Sequence, residues 1–137
     1  MPKLNISERL MEVVFSAVQE GMGTLKAEQD LIPFVLLLTK EGVTLQRFSD
    51  EDTTIAIERA QASIQEADDE ALAYVLVLDS QIEVDGKDSD ALMNESGERG
   101  KAKGWRFIQR YQAQAGTTPV SPIGELAYLG SARTYFD

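Results

Sequence analysis

From Leu72 to Val84, apolar residues fall on alternate positions. Leu72, Tyr74, Leu76, Leu78, Ile82 and Val84 share one parity, interrupted only by Ser80. Successive side chains of a strand point to opposite faces, so this set is directed at a core. The other parity reads Ala73, Val75 and Val77, then Asp79, Gln81 and Glu83. A strand covered on both faces at its start and on one face later has this pattern. Helices are therefore expected over one end of a sheet, with the far end of this strand running into solvent. Asp85-Gly86-Lys87-Asp88 follows. Asp-Gly is a strong hairpin signal, because glycine accepts the positive φ of a tight turn. A second strand is expected over Asp90–Ser96 and a third over Trp105–Gln112, joined by the glycine-rich loop Gly97–Gly104. With that loop centred near Gly100, Asp90 faces Arg110, Leu92 faces Ile108, Met93 faces Phe107 and Asn94 faces Arg106.

Upstream, Ser7 reads as a helix cap with Glu8 in the first turn. Leu10, Val13, Val14, Ala17 and Val18 recur at helical spacing, and Met11, Phe15 and Met22 widen the stripe. The helix is expected to stop near Gly21 or Gly23. So broad a stripe suits a helix lying on a sheet, or one shared with a second subunit. Ile32–Thr39 is almost continuously apolar, as in a strand buried on both faces. Lys40-Glu41-Gly42 closes a hairpin into Val43–Phe48, which alternates weakly and reads as an edge strand. Ser49 followed by Asp50, Glu51 and Asp52 opens a second helix. Its inner face is Ile57, Ala60, Ile64 and Ala67, and its outer face Glu58, Arg59, Gln61, Gln65 and Glu66. Gln112–Gly124, with Pro119 and Pro122, reads as irregular, and Glu125–Leu129 as a short last strand. Tyr135 and Phe136 are expected to dock on the body or on a neighbour.

The chain thus predicts one α+β domain over residues 1–137: a single antiparallel sheet with helices packed on it, in the order α-β-β-α-β-β-β(-β). Over residues 7–112 this order resembles that of roadblock, longin and profilin-like domains. The resemblance lies in element order alone and carries over no residue. It implies a non-catalytic domain that dimerises or scaffolds a complex.

Composition narrows the chemistry. The chain of 137 residues contains no cysteine and no histidine. Disulfides, thiolate nucleophiles, thiolate zinc sites and every Ser-His or Cys-His arrangement are therefore excluded. The formal charge is −10. Such a surface repels phosphate backbones and anionic lipid, so neither nucleic acid nor membrane is expected as a partner. The N-terminus shows no apolar signal segment, and the apolar run Leu31–Leu38 is too short to span a bilayer. A cytoplasmic protein without a cofactor is expected.

Three constellations are candidates for chemistry. Asp85, Asp88 and Asp90, with Asp79 and Glu83 upstream, form the densest acidic group. They lack the spacing of a calcium loop and suit a hairpin tip, so no metal site is assigned. Arg99, Lys101, Lys103, Arg106 and Arg110 form a basic group around Gly97, Gly100 and Gly104, a candidate partner- or anion-binding loop. It has no phosphate-loop motif and precedes a strand instead of a helix. Glu95, Gln109 and Tyr111, beside Arg106, are candidates for a polar cleft. No catalytic residue is assigned, because no nucleophile or orienting partner completes a set. The leading expectation is a non-catalytic protein-interaction or scaffold domain that forms a homodimer. The alternatives are an acidic inhibitor of immunity type on a basic partner, and a small enzyme using Glu95 or Asp79 as base.

Overall fold

The computed structural model describes residues 5–136. The elements are α1 (Glu8–Lys26), β1 (Phe34–Thr39), β2 (Gly42–Arg47), α2 (Thr53–Gln65), β3 (Ala73–Val84), β4 (Lys87–Glu98), β5 (Lys103–Gln112) and β6 (Ser121–Arg133). The order is the one the sequence predicts. All pairings are antiparallel, in one sheet ordered β2-β1-β3-β4-β5-β6.

The two helices cover opposite faces. Leu10, Val13, Val14, Ala17, Val18 and Met22 of α1 pack on Phe34, Leu36, Val75, Val77, Leu92, Trp105 and Phe107. Ala56, Ala60 and Ile64 of α2 pack on Val35, Tyr74 and Leu76 from the other side. This is why β3 is buried at every position from Ala73 to Val77 and alternates after that. Most of the α1 stripe is used against its own sheet, but Phe15, one of the residues that widen it, stays 52% exposed. Burial of that apolar face, more than helix propensity, holds such a helix in place.

Ser7 caps α1, its hydroxyl accepting from Leu10 N–H at 3.1 Å. The helix runs past both glycines to Lys26, and the left-handed residue beyond it is Glu28, φ 60°. Gly21 is there for packing: a β-carbon would lie 2.9 Å from Leu92 Cδ1. α2 is capped by Asp52, not Ser49; the Asp52 carboxylate accepts from Thr54 N–H at 2.9 Å.

The β3–β4 turn is Asp85-Gly86 alone, with both φ positive at 53° and 79°. Such a two-residue turn matches strand twist, and β4 accordingly starts at Lys87 instead of Asp90. The β4–β5 register differs by one residue from the expected one. Ala91 faces Arg110, Leu92 faces Gln109, Met93 faces Ile108, Asn94 faces Phe107 and Glu95 faces Arg106. The cause lies in the glycines. Gly97 and Gly104 are strand residues, so the connection shrinks to Arg99–Ala102 and its centre moves past Gly100.

The last strand is far longer than Glu125–Leu129. β6 covers Ser121–Arg133 and leaves its register with β5 twice. Beyond it, Tyr135 and Phe136 turn back onto Tyr74, with ring centroids 5.8 and 5.0 Å away.

Candidate protein-interaction edge

The structure divides the polar candidates between two faces. Glu95 lies on the α2 face, directly across from Arg106. It is 7% exposed, and each of its oxygens has a donor: Arg106 Nη2 at 2.9 Å on Oε2, and the Tyr135 hydroxyl at 3.1 Å on Oε1. Gln61 Nε2 donates to the same hydroxyl at 3.2 Å, and Tyr135 N–H donates to the Tyr74 hydroxyl at 3.0 Å. Burial, then the Glu95 charge, pushes the Tyr135 phenol up to about 12. Burial also raises Tyr74. The cluster is a tie for the C-terminal segment, and both carboxylate oxygens are committed to it.

Gln109 and Tyr111 occupy the α1 face. Gln109 is 5% exposed, and its amide donates to the carbonyls of Arg110 at 2.9 Å and Gly124 at 3.1 Å. Of these, Gly124 lies where β6 has left its register with β5, so the amide reaches backbone at that break. The Tyr111 hydroxyl donates to Asp79 Oδ1 at 2.7 Å. Burial, and then that carboxylate, raises the Tyr111 phenol.

The basic group is dispersed. Arg99 donates to the carbonyls of Ala71 at 3.1 Å and Asp68 at 2.8 Å, and its guanidinium lies 3.9 Å over the Phe136 ring. Lys101 donates to the Asn5 carbonyl at 3.0 Å. Arg110 donates to Ser89 Oγ at 3.0 Å. Arg106 is tied to Glu95. Lys103 is exposed at the start of β5. Arg99, Lys101, Arg106 and Arg110 thus each hold a neighbouring part of the chain.

Asp85, Asp88 and Asp90 gather with Arg110 and Tyr111 around one shallow cleft at the hairpin end. Among the described residues, no three acidic side chains are placed to share a metal ion. No described helix is long and apolar enough to cross a membrane.

What the sequence marked only as a weak edge strand is a fully exposed edge of the sheet. All six residues of β2 are exposed. Val43 is 50% exposed and Leu45 38%, and they share the α1 side of the sheet. Phe48 N–H donates to the Pro33 carbonyl at 2.9 Å. Antiparallel ladders alternate, so Gln46 and Thr44 also turn inward to β1. The amides and carbonyls of Val43, Leu45 and Arg47 therefore point away from the sheet. β6, the opposite edge, is blunted by Pro122 and two register breaks, and Gly124 and Gly130 have φ of 68° and 136°. Proline and bulges are common ways of blocking an edge. β2 carries neither.

No protein-family profile, curated protein or solved structure matches the chain.

Proposed function

We propose that this is a non-catalytic protein-binding domain that works through the β2 edge, by adding a strand to its sheet. The observation behind the reading is that β2 is regular, wholly exposed and bears two apolar side chains beside free backbone groups. In strand addition the backbone supplies affinity and the alternate side chains supply selectivity. The chain as a whole is acidic, with a formal charge of −10, which disfavours nucleic acid and supports a protein partner. Of the two surfaces that first suggest a dimer, most of the α1 stripe and the terminal aromatics pack within the chain, and Phe15 alone of the stripe stays half exposed.

Selection of a random-peptide display library against the intact chain tests the reading. Extended peptides with alternating apolar residues should be enriched. Their binding should be lost in Val43→Lys and Leu45→Lys and kept in Tyr128→Lys. Binding that survives both β2 changes defeats the reading. So does the absence of any bound peptide together with the absence of self-association.

A further inference from the structure

We infer that the occupant of the β2 edge is β2 of a second copy, paired antiparallel about a two-fold axis through Thr44. The inference rests on the edge reading above and names its partner. The register centred on Thr44 matches the apolar and charged positions of this strand. Val43 falls opposite Leu45 of the second copy, and Leu45 opposite its Val43, on the side of the sheet that α1 covers. Thr44 meets Thr44 on the other side. Arg47 comes to the turn residue Glu41 of the second copy, so one opposite-charge contact closes each end of the seam. Matched apolar pairs, threonine pairs and opposite charges across strands are the favourable cross-strand combinations. The outward backbone groups of Val43 and Leu45 complete the ladder between copies. Moving the axis by one residue, to Leu45, sets Arg47 against Val43 and removes the contact between Arg47 and Glu41.

The Arg47 guanidinium is already paired with Glu20 of its own chain at 2.7 Å, so in the dimer it is shared between that carboxylate and Glu41 of the second copy. The seam is one short strand per copy. It falls below the roughly 1,200 Å² of stable complexes, so the dimer is a weak one that forms at high concentration.

The chain has no cysteine, so single cysteines report the contact cleanly. Thr44→Cys, Leu45→Cys and, on the far edge, Ser131→Cys are oxidised in parallel under mild conditions. Light scattering follows the unmodified chain and Leu45→Lys over a concentration series. Side chains at a non-hydrogen-bonded pair lie closest. Thr44→Cys should therefore form a covalent dimer at least about ten-fold faster than Ser131→Cys, because pairing raises the effective thiol concentration. The unmodified chain should dimerise with concentration, and Leu45→Lys should stay monomeric with an unchanged circular dichroism spectrum.

Faster linkage at Leu45→Cys refutes the register, and faster linkage at Ser131→Cys refutes the edge. A monomer at every concentration overturns self-pairing. If that monomer still binds displayed peptides through Val43 and Leu45, the edge reading stands without it. If it binds none, both fall.

Discussion

The Tyr74 ring lies across Gly97 on the neighbouring strand, so close that a β-carbon at position 97 would sit 2.6 Å from Tyr74 Cε1. Tyr74 is fully buried and bonded through its hydroxyl to Tyr135 N–H, so the ring has no room to move aside. Gly97→Ala should therefore destabilise by about 1–3 kcal/mol, the usual range of overpacking. Gly104→Ala should cost more, because its β-carbon would meet the backbone carbonyl of Ser96. Gly23→Ala gives the contrast. That helical glycine has nothing within 4 Å of a β-carbon, so alanine should stabilise by about 0.5–1 kcal/mol. Urea midpoints rank the three, and equal effects would refute the packing argument.

Asn94 is fully buried between Val77 and Phe107, and neither its amide nitrogen nor its oxygen has a protein partner. A buried amide without hydrogen bonds costs stability that an apolar side chain of similar shape does not. Asn94→Val should raise stability by about 1–2 kcal/mol, seen as a higher thermal midpoint. Asn94→Asp, which places a carboxylate there, should lower it sharply at neutral pH.

Glu95 accepts from both Arg106 and Tyr135, so the three side chains act together. Glu95→Gln should cost about 1–2 kcal/mol through loss of the charge-assisted bond to a half-exposed arginine. A double-mutant cycle of Glu95→Gln with Tyr135→Phe should give less than the sum of the two single losses, since the mutations share a contact. Additive losses would show that the Tyr135 hydroxyl does not depend on the carboxylate.

Alkaline pH should weaken the fold through the same phenol. Tyr135 titrates near 12 in the folded chain, because of its burial and then Glu95, against about 10 when unfolded. Below pH 10 the phenol is neutral in both states and its contribution to stability is intact. Between 10 and 12 the unfolded chain releases a proton that the folded chain keeps, so stability falls as pH rises. Tyr74 and Tyr111, both raised chiefly by burial, act in the same direction. Denaturant midpoints across that window should fall more steeply for the unmodified chain than for Tyr135→Phe. Parallel curves would place the tyrosine elsewhere.

The elements readable in the sequence were those whose pattern came from burial. The α1 stripe, the doubly covered start of β3 and the Asp85-Gly86 turn each carry their cause in local residues. The readings that moved were at glycines. Gly21, Gly97 and Gly104 look like stops or loop residues, yet Gly21 and Gly97 make room for the Leu92 and Tyr74 side chains and Gly104 for the Ser96 carbonyl, all distant in sequence. Because Gly97 and Gly104 set the length of the β4–β5 connection, the register, and with it the face of each polar candidate, moved by one. The sequence register set Arg106 against Asn94 and left Glu95 on the face of Gln109 and Tyr111; the shift of one residue brings Glu95 opposite Arg106 and separates it from the other two. β6 was nearly invisible because an exposed, bulged edge has no alternation to show. The β2 edge was legible as weak alternation, but its openness depends on how far each helix reaches, which no local pattern encodes.

The sheet order has a kinetic consequence. β3 to β6 form a run of consecutive strands, whose ladders close over short lengths of chain, whereas β1 meets β3 only after β2 and α2 have been passed. Loop closure over a longer segment costs more entropy and is repaid later, so local hairpins assemble first. The rate-limiting event on this account is insertion of β1 against β3. Until it happens, β3 presents a bare edge whose first half is wholly apolar, and a neighbour's β1 fits there as well as the chain's own. Refolding yield should therefore fall with concentration through exchanged strands, a hazard set by topology and not by the stability of the finished fold.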